Sequence, residues 1–149
     1  MSIARFTTAL LVAGCGLLQG PFDTADALAA ALGGAGVDTA VLARHSDDLF
    51  PGAVHTVLCV GGQRASVYTY ESEVAAATGA AKIDPADPST VGSAHVDWVG
   101  NPRFWQRGRL LVLYVGPQAG TESLLTSIIG PPFARGDGRG WPGALDGSC

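Results

Sequence analysis

Lysine is almost absent from this chain: Lys82 stands alone among 149 residues. With 9 basic residues against 13 acidic ones, the formal charge is −4. That balance excludes a polybasic membrane patch and argues against nucleic acid as a partner, because neutralising phosphates needs a basic surface. Cysteine is scarce too. Cys15, Cys59 and Cys149 make no C-x-x-C pair and no zinc-type spacing. A spanning helix needs roughly 20 apolar residues, and Gly14, Gly16 and Gly20 interrupt the apolar N-terminal stretch. There is no G-x-S-x-G elbow for serine hydrolysis. Gly61-Gly62 is followed by neither lysine nor a helix start, and Gly33-Gly34-Ala35-Gly36 follows a helical pattern instead of a strand. Neither is a phosphate or dinucleotide loop.

What is present begins with residues 1–15. Arg5 supplies a positive charge, Phe6–Val12 an apolar run, and Val12-Ala13-Gly14-Cys15 a series of short side chains ending in a thiol. A secretory leader has this order of basic, apolar and small residues. The segment resembles the signal and lipobox of bacterial lipoproteins. That resemblance implies cleavage after residue 14 and acylation of Cys15 by palmitate-type chains. It further implies a tether over 15–21 and a place at the cell membrane, facing outside the cytoplasm. Each buried CH₂ of such an anchor adds about 0.8 kcal/mol, so two or three chains hold durably. The mature chain would have 149 − 14 = 135 residues, and losing Arg5 would take the charge from −4 to −5. The competing reading is an uncleaved N-terminal helix over Ile3–Leu18 on a cytoplasmic protein, with Cys15 a small apolar residue within it.

A chain of this size suits one domain with a sizeable core. Thr24 reads as a helix N-cap, with Phe22 able to staple onto Leu28. Val37–Leu42 reads as a strand, followed by a polar loop over Arg44–Asp48. Val54–Val60 and Gln63–Tyr70 flank Gly61-Gly62, a hairpin signal of the type I′ kind. Ser72 caps an alanine-rich helix over Glu73–Lys82. Ala94–Val99 and Arg109–Val115 then read as two arms joined by Asn101–Gly108, and Thr121 as the cap of a third helix stopped by Gly130, Pro131 and Pro132. The sequence predicts one α+β domain over 22–133, in αβ-ββα-ββα order. Its antiparallel sheet has about five strands, with helices covering one face in two layers. Residues 134–149 carry five glycines and no periodicity, which predicts a mobile tail.

The run Val96-Asp97-Trp98-Val99, then Pro102, Phe104, Arg107-Gly108-Arg109 and Leu110–Gly116, is similar to a stretch in small bacterial lipoproteins of uncharacterised function. In overall layout the likeness covers Thr24–Phe133. It implies location and element order and brings no catalytic residue.

Four groups are candidates for chemistry. Arg103, Phe104, Trp105, Gln106, Arg107 and Arg109 form the densest basic–aromatic cluster. Guanidinium forks match carboxylates and phosphates, and Trp105 offers a face for stacking, so an anionic small ligand or another envelope protein would bind there. The alternative is a hairpin connection whose aromatics fold back over the sheet. His95 and Asp97 share a strand face, and with His55 they would make a metal site for a metal-assisted envelope enzyme, if the strands align. Otherwise they are ordinary polar residues near turns. His45, Asp47 and Asp48 would make a metal or acid/base group, or simply a solvated loop. Cys59 and Cys149 either pair in an oxidising compartment or remain a buried residue and a tail thiol. No cofactor is implied. The leading expectation is a membrane-anchored, non-enzymatic binding or accessory module.

Overall fold

A computed structural model describes residues 22–138 and 147–149. The expected leader and tether, with Cys15, therefore lie outside the described residues. Three helices and eight strands follow in chain order: α1 (Ala25–Gly34), β1 (Thr39–His45), β2 (Val54–Val60), β3 (Gln63–Thr69), α2 (Glu73–Ala80), β4 (Thr90–Val91), β5 (Ala94–His95), β6 (Pro102–Arg107), β7 (Leu110–Val115), α3 (Ala119–Ile129) and β8 (Ala134–Arg135). Six strands form one antiparallel sheet in the order β1-β2-β3-β7-β6-β8, and β4 and β5 form a small second sheet. The architecture is the expected α+β antiparallel one. Among the described residues, no helix is long and apolar enough to cross a membrane.

Local signals account for most elements. Thr24 Oγ1 accepts from the Ala27 N–H at 3.1 Å and Ser72 Oγ from the Ala75 N–H at 3.1 Å, each satisfying a donor that a helix start leaves open. Gly61 and Gly62 take φ of 57° and 83°, the two left-handed positions of a type I′ turn, and close the β2–β3 hairpin. The third helix begins at Ala119, earlier than the expected cap at Thr121. Its N-cap Gln118 makes no side-chain cap bond, and the Gln118 N–H donates to the Tyr114 hydroxyl at 3.1 Å. Thr121 is buried.

The layering differs from the expected two layers. One side of the sheet packs Leu58, Val60, Val67, Trp105, Val112 and Tyr114 against α1 and α3. The other packs Tyr68, Phe104, Leu111 and Leu113 against α2, Phe50, Ile83 and Val91. Helices thus lie on both faces. The cause is the centre of the sheet: in β7 Leu110–Tyr114 are all buried, and Val67 and Tyr68 in β3 are buried on opposite sides. A sheet apolar on both faces needs cover on both.

Two boundaries also move. The expected arm Ala94–Val99 supplies only β5, while the expected connection over Asn101–Gly108 contains β6. Arg107 pairs with Leu110, so the hairpin turn is Gly108-Arg109. The mobile tail expected from residue 134 is corrected at both described ends. Ala134 is buried, and Ala134–Arg135 pairs with Phe104 and Arg103. At the far end, the Cys149 N–H donates to Gly62 O at 3.0 Å and the Arg64 N–H to Gly147 O at 2.6 Å. Cys149 is disulfide-bonded to Cys59 across 90 residues of chain.

Candidate functional site

The basic–aromatic cluster at 103–109 is built into the fold, and the expectation of an open ligand patch is corrected. Because 102–107 is a strand, its side chains alternate between two covered faces. Phe104 and Trp105 are both 0 % exposed, so Trp105 has no face to offer a ligand. Each arginine clasps another element. Arg103 Nε meets Glu122 Oε2 at 3.1 Å, and its Nη1 donates to Gly136 O at 2.8 Å and Pro102 O at 3.0 Å. Arg107 Nη1 donates to the Ile128 and Ile129 carbonyls at 2.9 and 3.3 Å, where the end of α3 leaves acceptors open. Its guanidinium also lies 5.3 Å from the centre of the Phe22 ring. Arg109 Nε donates to Tyr70 O at 2.8 Å. These arginines tie α3, β8 and the Tyr70 turn to the β6–β7 hairpin.

The expected metal group of His55, His95 and Asp97 does not assemble. His55 is buried in β2 of the large sheet, whereas His95 is exposed in β5 of the small one, opposite Thr90. Among the described residues, no group of three His, Cys, Asp or Glu side chains is placed to hold a metal ion.

A different grouping does form, from residues that the sequence placed in two separate candidates. Strand β1 extends to His45, and His45 pairs directly with His55 as the last rung before the loop over residues 46–53. Their ring centres lie 4.3 Å apart, edge to face. His55 stacks on Tyr68 of β3 at 4.4 Å and 19°. Tyr68 in turn meets Phe50 of the loop at 4.6 Å, and Phe50 meets Phe104 at 6.4 Å. Asp47 joins the loop to this stack. Its Oδ1 accepts from the Leu49 and Phe50 N–H groups at 2.9 and 3.2 Å, and its Oδ2 lies 3.1 Å from His55 Nδ1. That last contact is close enough for Coulomb attraction but is off-line for a hydrogen bond, so neither ring nitrogen of His55 has a hydrogen-bond partner among the described residues. Asp48, the other acidic residue expected here, is exposed.

The electrostatics follow from that geometry. His55 is 8 % exposed. Burial pushes its pKa below the ordinary 6.5; the Asp47 carboxylate opposes this and His45 adds to it. Burial raises Tyr68 strongly, and the Asp47 charge raises it further. Tyr70 is raised by the same two causes in the same order. The site therefore holds a neutral imidazole and a neutral phenol beside one carboxylate.

Sequence reasoning missed this cluster because the His45–His55 pairing depends on register. A bulge between Val41 and Ala43 shifts β1 by one residue. The eight-residue loop separating the strands carries no turn signal that counts the register.

Toward the other end of β2 from His55, the Cys59–Cys149 disulfide realises the paired alternative for these cysteines, with Cα atoms 5.9 Å apart. No protein-family model matches the chain, and no curated protein or solved structure is significantly similar to it.

Proposed function

We propose that this chain is a lipid-anchored protein of the bacterial cell envelope, acylated at Cys15, whose globular domain serves as a non-enzymatic binding or accessory module for another envelope protein. The observation that carries the reading is the Cys59–Cys149 disulfide. Disulfides persist in oxidising compartments and are rare in the cytosol, where thiols are kept reduced. It leaves Cys15 as the one cysteine outside the pair, at the position that the lipobox pattern gives to the acylated residue.

On this reading the domain lies close to the bilayer. The 7 residues Cys15 to Pro21 reach at most about 25 Å when extended. Phe22 O accepts from the Arg109 N–H at 3.0 Å, so the β6–β7 turn is beside the start of the domain and would face the membrane.

Mass spectrometry of the native protein tests the anchor. The expected N-terminal peptide starts at Cys15 and carries the added mass of a diacylglyceryl group, and Cys15→Ala releases the protein from the membrane fraction. Recovery of a chain starting at Met1 with an unmodified thiol at Cys15 overturns the proposal.

A further inference from the structure

We propose that His45, Asp47 and His55 form an acid-sensitive latch at the open end of the β1–β2 hairpin, which holds the loop over 46–53 shut while His55 is neutral and frees it when both histidines are protonated. The inference is independent of the anchor at Cys15.

The loop is held by hydrogen bonds to Asp47, by one turn bond and by apolar packing of Leu49, Phe50 and Ala53. Asp47 Oδ1 accepts from Leu49 and Phe50, and the Ala53 N–H donates to Phe50 O at 3.3 Å. Phe50 is its apolar plug, 1 % exposed between Tyr68 and Phe104. Opening the loop uncovers Phe50 and Tyr68 and leaves β3, β7 and β6 paired behind them.

His55 is the group that can drive this. The titratable side chains acting on it are His45 from β1, Asp47 from the loop, and Tyr68 from β3. At 4.3 Å between ring centres, two imidazolium ions repel. His45 is exposed and belongs to the edge strand, so β1 and the loop can yield while β2, held between β1 and β3, does not. Asp47 acts against opening, because its carboxylate attracts the protonated ring. Burial acts for it: His55 is 8 % exposed and neither ring nitrogen has a hydrogen-bond partner among the described residues. A proton on His55 thus places a buried charge beside a second imidazolium, and an open loop relieves both by admitting water. Burial and His45 both hold the proton off His55 near neutrality, which keeps the latch closed there.

Amide hydrogen exchange of the full chain, corrected for intrinsic rates, is the test. Between about pH 7.5 and about pH 5, protection at Leu49, Phe50 and Ala53 is expected to fall roughly tenfold, and the loop is to remain far less protected than Leu111 and Leu113 in β7. His55→Phe retains a ring to stack on Tyr68 and cannot take a proton, and it should abolish the acid response. His45→Gln removes the repelling neighbour and should reduce the response. The latch is overturned by unchanged loop protection in acid, by an equal fall in His55→Phe, or by loop amides as well protected as those of β7 in acid. Should His55→Phe not fold, His45→Gln decides alone, and an undiminished acid response in it overturns the proposal.

Discussion

The Tyr70 hydroxyl rests against the Cα of Gly79, in the space where any other residue would carry its Cβ. Gly79 is buried within α2, near its C-terminal end. Glycine there costs the helix about 1 kcal/mol relative to alanine. The contact with Tyr70 is what that cost permits: α2 lies flat on the sheet face formed by Tyr68, Phe104, Leu111 and Leu113.

Gly79→Ala is therefore expected to destabilise the domain despite improving helix propensity. Overpacking a tight contact costs about 1–3 kcal/mol, which outweighs the propensity gain. Denaturant unfolding measures the difference. A variant as stable as the parent, or more so, would show that α2 can move away from Tyr70 freely.

Glu122 holds two arginines, with Oε2 at 3.1 Å from Arg103 Nε and Oε1 at 2.6 Å from Arg135 Nη1. The Arg103 and Glu122 side chains are only 16 % and 19 % exposed, whereas Arg135 is 56 % exposed. Glu122→Gln leaves the partly buried Arg103 without its counter-charge and should cost about 1–3 kcal/mol. Arg135→Ala removes a surface partner and should cost less than about 1 kcal/mol. Urea unfolding of both variants checks the order, and the reverse order would refute this account of the clasp.

Much of this fold is legible in the residues. Thr24, Ser72 and Gly61-Gly62 mark two helix starts and a hairpin through local hydrogen bonding and backbone freedom, which short stretches of sequence encode directly. Which face a helix covers is not local information. Alanine-rich α2 has little apolar contrast around its axis, so only Tyr70, Phe104 and Leu111 on the sheet decide where it packs. The same limit explains the segment 102–107. Arginines and aromatics in a row suggest an exposed patch, and only coverage of both sheet faces turns Phe104 and Trp105 into core. The candidate site fails for a third reason. His45, Asp47, His55 and Tyr68 belong to β1, a loop, β2 and β3, and a one-residue bulge sets who meets whom.

Reducing the Cys59–Cys149 bond should lower stability markedly. It closes a loop of 90 residues, for which the chain-entropy account gives roughly 4–5 kcal/mol, and losing a native disulfide commonly costs about 2–5 kcal/mol. Thermal unfolding with and without a thiol reductant measures it. Cys149→Ser should reproduce the reduced value and abolish any further effect of reductant. A reductant effect that persists in Cys149→Ser would assign the loss to something other than this bond.

Stability should also depend on pH in two windows. The His55 pKa is lowered in the folded state, chiefly by burial, with Asp47 opposing and His45 adding. The unfolded chain thus binds that proton first, and stability rises with pH wherever it does. The contribution is fully present above about pH 6.5 and is lost as pH falls from there through the folded-state value. Tyr68 and Tyr70 behave in the opposite sense. Burial first, and Asp47 second, raise both in the folded state, so their contribution is present below about pH 10 and is lost as pH rises beyond it. Melting temperature measured across the range should form a plateau between these limits. His55→Phe should flatten the acid limb and leave the alkaline one, and Tyr68→Phe should shrink the alkaline limb to the part due to Tyr70 and leave the acid one. An acid limb unchanged in folded His55→Phe would mean that other groups, not this imidazole, set the loss of stability at low pH.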